Sequence, residues 1–386
     1  MKNIELLFEY NIYKNIKSSK RNVKLITRKN QKMWKYDNYD EIFSGNTICK
    51  LLQSLNYIIE TDKFKLPIVI CLNKIEFADK LVFIILECIC YYIINLNNRQ
   101  ISIFFDSKKS IWTDGISYSP MYFLNSSYIK FNEKFIEDTN LKHYRRVVHY
   151  KHVKTDYLNH VSTDIFLFFE KLKFEDTTNE ILCESIAEIV GNAIEHGHSD
   201  CLIDIDVTDE KYTKDDDSDS IYYGINVVVL NFSEKSFSDK LKKKLSNIND
   251  LSGRYKQVDR AYAFHSKFFN DKYTESDFYT IASFQHKISG SIQKASSGGV
   301  GLTHLINSID EKAATHNCYM LSGQRVFNFA KELLQYDSNQ YIGFNDKNDF
   351  FNHIPSSKIL QCSNTHFPGT AYNLNFVIKK GEINNG

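Results

Sequence analysis

Three polar side chains that recur at every fourth position form the part of this sequence with the clearest chemical potential. They are a carboxylate, a carboxamide and an imidazole, carried by Glu188, Asn192 and His196. On an α-helix this spacing places all three groups along one flank, one turn apart. A helix that presents an acid, an amide and an imidazole on one side could hold a metal-bound polyanion.

The residues between these polar groups predict the helix itself. Apolar side chains follow the i, i+3, i+4, i+7 spacing that marks a single helix face. They are Leu182, Ile186, Ile189, Val190 and Ala193. We therefore predict a helix over residues 179–196 that packs on the core by this face and carries the polar flank beside it.

A glycine-rich segment later in the chain is the second feature with chemical potential. Gly298, Gly299 and Gly301 fall within four residues, and an amphipathic helix is predicted over 302–312. Glycine lets the backbone adopt positive φ and approach a ligand closely. The first N–H groups of a helix and its dipole attract phosphate. A phosphate-binding turn and a plain loop are both compatible with this pattern.

The first part of the chain predicts a small α/β unit. A strand at 66–72, a helix at 78–95 and a strand at 100–106 have the lengths of a βαβ unit with two parallel strands. The run 81–96 is the most hydrophobic in the chain, but it is too short to span a membrane and holds Glu87 at its centre. We interpret it as a buried helix.

The second part of the chain predicts helices that are segregated from an antiparallel sheet. Helices are expected at 164–174, 179–196 and 302–312, and strands at 201–207, 225–232, 318–322 and 372–378. This order is typical of an α+β fold. We predict a two-layer α/β sandwich preceded by a smaller α/β domain.

The domain boundaries follow from these elements. The smaller domain covers 1–132, a linker covers 133–155, and the sandwich covers 156–386 with a long polar insert at 233–297. The linker carries His143, Arg145 and Arg146 among other basic residues. We interpret it as a solvated linker or helix face rather than a basic patch that binds a ligand.

Composition excludes several classes of protein. The 386 residues include 48 basic and 47 acidic side chains, so the net charge of +1 does not indicate nucleic-acid binding. The eight cysteines are scattered, which favours free thiols in a reducing compartment over disulfides or a zinc site. We expect a cytoplasmic protein without a membrane-bound segment.

The chemical features together resemble the GHKL ATPase family, which includes gyrase-type ATPases, sensor histidine kinases and anti-sigma-factor serine kinases. The N-box of that family, Glu-x-x-x-Asn-Ala-x-x-His, is matched by Glu188, Asn192, Ala193 and His196. The segment 299–302 resembles the G2 box, and 367–370 resembles the terminal Gly-Thr box. The three boxes stand in the order of the family, so the resemblance implies a Bergerat ATP-binding fold.

The resemblance implies that ATP and Mg²⁺ are the ligands. Asn192 would coordinate Mg²⁺ through its side-chain oxygen. Glu188 would act as the general base on the attacking water or hydroxyl. His196 would either contact a phosphate or serve only as a hydrogen-bonded residue at the helix end.

The resemblance also assigns the rest of the nucleotide site. Gly298, Gly299 and Gly301, with Leu302 behind them, would cradle the phosphates under a mobile lid at 233–297. Thr370 would hydrogen-bond near the adenine. A protein partner is expected, and a homodimer is expected by analogy with the family.

One family motif is altered in this chain. The G1 box of the family is Asp-x-Gly-x-Gly, whereas the corresponding segment here runs from Asn231 to Lys235 without glycine. Asn231 keeps an acceptor oxygen for the adenine but loses the charge that strengthens the hydrogen bond. Three functions therefore stay open: an ATPase that uses lid closure to control a partner, a protein-serine kinase of the anti-sigma type, and a nucleotide sensor without hydrolysis.

The smaller domain resembles a STAS domain, a module that anti-sigma serine kinases phosphorylate on a Ser or Thr at the start of a helix. The segment concerned is 68–79 with the helix that follows it. Residues 77–81 carry no hydroxyl group here, so the resemblance implies a copy that is not phosphorylated at that position. An ordinary α/β scaffold is the alternative.

Overall fold

Two β-sheets organise the chain in the computed structural model. The structure describes residues 1–9, 22–107, 116–152, 157–173, 176–214, 217–247, 253–288, 301–312 and 318–379. The first sheet is built from residues before 108, and the second from residues after 136. The chain is thus a mixed α+β protein, as expected.

The first sheet contains the predicted βαβ unit. Its strands are β1 (Val23–Arg28), β2 (Gln31–Asp37), β3 (Ile42–Phe43), β4 (Ile68–Phe77) and β5 (Ile101–Ser107). Strands β2, β3 and β5 run parallel to β4, whereas β1 forms an antiparallel hairpin with β2. The sheet is accompanied by α1 (Leu6–Glu9), α2 (Gly45–Thr61), α3 (Lys80–Asn95), α4 (Met121–Leu124) and α5 (Tyr128–Ile136). The β4–α3–β5 unit confirms the strand–helix–strand prediction.

The second sheet has six antiparallel strands. They are β6 (Glu137–Thr139), β7 (His143–Val148), β8 (Cys201–Lys214), β9 (Asp217–Asn231), β10 (Tyr319–Asn328) and β11 (Leu360–Lys379), in the spatial order β10-β11-β9-β8-β7-β6. The helices after the first sheet are α6 (Tyr157–Glu170), α7 (Asp176–Gly197), α8 (Asp239–Asn247), α9 (Gly253–His265), α10 (Glu275–Ser283) and α11 (Gly301–Lys312). Helix α7 confirms the predicted helix, and its apolar residues lie in the core.

The segment expected to be a linker is part of the six-stranded sheet, so that prediction is wrong. Residues 133–155 contain the end of α5 and the strands β6 and β7, and β7 pairs along β8 from His143 to Val148. His143 and Arg145 are each 1% exposed. Acidic partners from distant segments accompany them in the interior: Asp206 hydrogen-bonds His143, and Glu87 and Asp204 pair with Arg145.

The described part of the polar insert at 233–297 is helical and packs on the core. This part, up to residue 288, forms α8, α9 and α10. Leu241, Val258 and Phe278 from these helices belong to the same core as the apolar face of α7. Residues 289–297 lie outside the described part of the chain. The role of the insert as a lid stays a prediction.

The six-stranded sheet is covered on both faces. Helices α6, α7 and α11 lie on one face, and their side chains share a core with β8, β9 and β11. On the other face, Val228 and Leu230 of β9, with Phe232 just after the strand, join the core of the first sheet and of α3. The predicted two-layer sandwich therefore carries a further layer, which the smaller domain supplies.

Helix α3 is one of the elements that join the two sheets, and α2 is another, since the Thr365 hydroxyl of β11 donates to the carbonyl oxygen of Gly45. Asp79 caps its first turn, accepts a hydrogen bond from the Val82 N–H at 2.9 Å, and also accepts one from the Tyr319 hydroxyl of β10 at 2.7 Å. The helix start at which a STAS module is modified thus contacts the six-stranded sheet here. Although α3 is strongly apolar, no helix among the described residues has the length and apolarity to cross a membrane.

A group of buried charges lies between α3 and the six-stranded sheet. We call it the interdomain charge cluster, and its members are Lys80, Glu87, His143, Arg145, Asp204 and Asp206. The Lys80 Nζ lies 2.5 Å from Asp204 Oδ1 and 2.6 Å from Asp206 Oδ2. Arg145 bonds both Glu87 and Asp204.

The carboxylates of this cluster are held by opposite charges in a dry environment. Burial by itself would raise the pKa of Asp204, but Arg145 and Lys80 outweigh burial and keep that pKa well below its ordinary value. Burial raises the pKa of Glu87, and Arg145 offsets only part of the effect. The ion pairs are therefore essential to burying Asp204 in its charged form.

Replacement of Lys80 by methionine tests the contribution of the cluster. The change keeps the side-chain length but leaves Asp204 and Asp206 without their shared cation, so we expect a loss of about 3–5 kcal/mol in the free energy of unfolding. Urea denaturation followed by circular dichroism measures the loss. Lys50→Met is the matched control, because Lys50 pairs with Asp40 at the surface and should cost less than about 1 kcal/mol. Equal losses in the two variants would contradict the prediction.

Candidate functional site

The polar flank of α7 lies where the sequence places it. Glu188 and Asn192 are half-buried, while the neighbouring Ile189 and Val190 are in the core. The Asn192 Nδ2 donates a hydrogen bond to Glu188 Oε1 at 3.2 Å. This bond fixes the orientation of the amide, so its carbonyl oxygen is turned away from the carboxylate. The side chain of His196 lies outside the described residues.

Asn231 ties three elements together at the end of β9. Its Nδ2 donates to the carbonyl oxygen of Ala193 in α7 at 3.3 Å, and its Oδ1 accepts from the N–H of Thr370 in β11 at 3.3 Å. Asn231 is 2% exposed. An aspartate could not donate to Ala193, so the structural requirement at this position favours the amide. One lone pair of Oδ1 is left for a ligand.

Gly197, the last residue of α7, is needed for this contact. A Cβ atom at Gly197 would lie 2.0 Å from the Asn231 Nδ2, a distance that atoms do not tolerate. The glycine therefore lets the end of the helix close directly onto the end of β9. The helix then terminates at His198, whose positive φ of 51° turns the chain away.

The Gly-Thr segment approaches the same strand end from the other side. Gly369 has a φ of +107°, and a Cβ there would lie 2.2 Å from the carbonyl oxygen of Asn231. Only glycine combines this φ with such a close approach. The next residue, Thr370, is buried and stands opposite Asn231 in the register of β11 and β9. The segment lies inside β11 rather than before the final strand.

A cavity lies between α7, the end of β9 and the middle of β11. It encloses about 310 Å³ of space, its open mouth included. Its lining residues are Ile189, Asn192, Ala193, Gly197, Asn231, Lys235, Ser236, Phe237, Thr370 and Tyr372. Three residues that the sequence singles out, Asn192, Asn231 and Thr370, thus meet at one cavity. The centre of a water molecule can reach only about 20 Å³ of this space, far less than the volume of a ligand pocket, so a ligand of nucleotide size enters only when the lining moves apart.

The other predicted site residues are placed differently. Glu188 contacts Asn192 but is not part of the cavity lining. Gly301 begins α11, which packs against α7, and Leu302 is buried in the core rather than exposed to a ligand. Gly298 and Gly299 lie outside the described residues, so their predicted contact with phosphate stays a prediction.

Sequence patterns missed several of the residues that line the cavity, among them Lys235, Phe237 and Tyr372. Lys235 and Phe237 come from the segment after β9, where the family motif expects glycines. Tyr372 follows Thr370 by two positions in β11, and residues two apart in a strand share a face. That alternation is the signal by which Tyr372 could have been found. Lys235 brings a positive charge to the mouth of the cavity.

Two places in the molecule carry donor atoms of the kind that bind a metal ion. In the interdomain charge cluster, His143, Asp204 and Asp206 have metal-ligand spacing, but the Lys80 ammonium already lies between the two carboxylates. A metal ion does not fit there. At the cavity, Asn192 offers a neutral oxygen, which suits Mg²⁺ when phosphate oxygens and waters complete the coordination.

Asn231→Asp tests the structural role of the amide at this site. The change removes the donor to Ala193 and sets a carboxylate oxygen against a carbonyl oxygen, so we expect a loss of about 1–3 kcal/mol in the free energy of unfolding. Urea denaturation without ligand is the measurement. Asn364→Asp, at an exposed amide, is the control and should change that free energy by less than about 0.5 kcal/mol. Wild-type stability of Asn231→Asp would show that the amide is not structural.

Comparisons of the chain with known proteins found no relative. No family model, no curated protein and no solved structure matches it. The resemblance to the GHKL family therefore rests on the sequence motifs alone. What the structure adds is the position of Asn192, Asn231 and Thr370 around one cavity.

Proposed function

We propose that this protein binds Mg-ATP in the cavity between α7, the end of β9 and the middle of β11, as a GHKL-type protein with a Bergerat fold. It hydrolyses the nucleotide and uses the resulting change in the lid to control a protein partner. One observation carries the proposal. Asn192, Asn231 and Thr370, which come from three separate motifs of the family, line the same cavity.

The residues of the chain have complementary parts in this proposal. The side-chain oxygen of Asn192 holds Mg²⁺, which neutralises phosphate charge when it is bound. The remaining lone pair of Asn231 Oδ1 accepts a hydrogen bond from an amino group of the base. The ammonium group of Lys235, at the cavity mouth, attracts the anionic phosphates.

Glu188 is the residue on which hydrolysis depends. Its carboxylate lies within hydrogen-bond distance of the Asn192 amide, so it is held beside the cation ligand. From there it accepts a proton from the attacking water, the task of a general base. In a protein-serine kinase the same carboxylate would accept the proton from a serine hydroxyl of the partner.

A nucleotide sensor that does not hydrolyse ATP is the second candidate function. The amide of Asn231 is engaged twice with the backbone, and the glycines of the G1 motif are replaced by bulkier residues. Both facts favour a site that binds a nucleotide without turning it over. In such a protein the bound nucleotide stabilises the fold and later dissociates without having been hydrolysed.

Three variants on α7 separate these functions. We expect Glu188→Gln to bind Mg-ATP but to release ADP at least about 100-fold more slowly, because the general base is lost. Asn192→Ala should lose the Mg²⁺-dependent part of ATP binding. Glu184→Gln is the matched control, since Glu184 lies one turn earlier on the same helix and is exposed. The readouts are ADP release and calorimetric affinity with and without Mg²⁺.

The outcomes of this experiment are distinct. Unchanged ADP release in Glu188→Gln would remove the catalytic role of that carboxylate. A sensor gives thermal stabilisation of the wild type by Mg-ATP without ADP release, by about 2.7 kcal/mol at a ligand concentration of 100 times Kd. A kinase gives label from the γ-phosphate on a partner protein instead of free phosphate. No binding of nucleotide by the wild type would overturn the proposed function.

A further inference from the structure

The hydroxyl group of Tyr372 is a buried hydrogen-bond donor that has no acceptor in the described part of the chain. Tyr372 lies on β11 and points to the same side as Thr370, underneath α7. The residue is 2% exposed, and its hydroxyl oxygen makes no hydrogen bond to any residue that the structure describes. Leaving a buried hydroxyl unpaired costs free energy, so the presence of a tyrosine rather than a phenylalanine at this position calls for a physical reason.

The immediate neighbours of Tyr372 do not supply a partner. Its register partner on β9 is Val229, and the adjacent wall of the cavity is formed by Ile189 and Phe237. Burial raises the pKa of the Tyr372 hydroxyl, and the nearby charge of Glu188 raises it further. The phenol therefore keeps its proton at neutral pH and can act as a donor.

The chemistry of the surrounding wall indicates what would accept this hydrogen bond. A hydroxyl donor beside the aliphatic and aromatic side chains of Ile189 and Phe237 suits a planar heteroaromatic ring, which packs by its faces and accepts at its edge. A phosphate group is less suited to this position, because the charged residue of the lining, Lys235, is exposed at the cavity mouth. A buried donor among these apolar lining residues is thus chemically matched to the edge of a base.

We infer that Tyr372 is a specificity-determining residue of the cavity, whose hydroxyl donates a hydrogen bond to a ring nitrogen of a bound purine. The inference rests on the proposed nucleotide-binding function and deepens it. Asn231 accepts from the amino group of the base, while Tyr372 donates to its ring. The two residues together select a base that carries both a donor and an acceptor.

Tyr372→Phe gives this inference a test with two independent readouts. The variant keeps the ring and removes only the hydroxyl. Without ligand, we expect it to unfold at the same or a higher urea concentration than the wild type, because an unpaired buried group is removed. With Mg-ATP, we expect its Kd to be about fivefold to tenfold weaker by calorimetry, because the hydrogen bond to the base is lost.

Tyr336→Phe is the matched control for a hydroxyl with a structural role. The Tyr336 hydroxyl donates to the carbonyl oxygen of Phe284 at 2.7 Å. Its removal should lower the unfolding midpoint and leave the Kd for Mg-ATP unchanged. If Tyr372→Phe gave this same pattern, the hydroxyl would have a structural partner, such as a buried water, and the inference would be overturned.

Nucleotide analogues identify which ring nitrogen accepts the hydrogen bond from Tyr372. Versions of ATP that lack one ring nitrogen (1-deaza, 3-deaza and 7-deaza) are compared on the wild type and on Tyr372→Phe. We expect one of them to bind the wild type about fivefold to tenfold more weakly than ATP, yet to bind the variant as well as ATP does.

The two hypotheses fail in different ways. Equal penalties for every analogue on both proteins would overturn the inference about Tyr372 and leave nucleotide binding in place. Equal affinity of the wild type and Tyr372→Phe for Mg-ATP would do the same. A wild type that binds no Mg-nucleotide would overturn the proposed function together with the inference.

Discussion

The interdomain charge cluster is the constraint on which the rest of the structure depends. Lys80 and Glu87 on α3 face Arg145, Asp204 and Asp206 on the six-stranded sheet, and all five are buried. Desolvating one of these charges alone is costly, and the cost is recovered only when the partner from the other part of the chain is in place. The cluster thus specifies one way in which α3 can lie on the sheet, and so couples the folding of the two parts.

The charge cluster also explains how the candidate site is positioned. Asp204 and Asp206 fix β8 against α3, and β9 pairs with β8 along its length. Strand β9 ends at Asn231, whose amide then holds α7 on one side and β11 on the other. The cavity is therefore set on strands that are rigid on both faces, and rigid elements hold site residues more accurately than loops do.

Local patterns predicted the elements of this fold better than their burial. The spacing of apolar residues predicted α7, and continuous apolar runs predicted β4, α3 and β5. The pattern failed at 133–155, because polarity was taken as exposure. The sequence around Arg145 gives no sign that Glu87 and Asp204, which lie far away along the chain, will pair with it. Likewise, nothing local to β9 indicates that its second face meets another domain.

The same distinction applies to the candidate site. Asn192, Asn231 and Thr370 could be named because motifs record residue types at fixed spacing. Leu302 was included for its place in a motif, although its side chain is in the core. Tyr372 was missed because its significance is an unsatisfied hydrogen bond among the described residues, which only three-dimensional neighbours reveal.

The two sides of the contact between α3 and the six-stranded sheet are synthesised at different times. Lys80 is made 126 residues before Asp206, and Gly45 accepts a hydrogen bond from Thr365, 320 residues later. Since chains begin to fold from their N-terminus during synthesis, the first sheet must wait with one side of α3 uncovered. The charges of Lys80 and Glu87 on that side hydrate the waiting surface and keep it from aggregating. Residues that are costly to bury in the finished protein are in this way useful to the unfinished one.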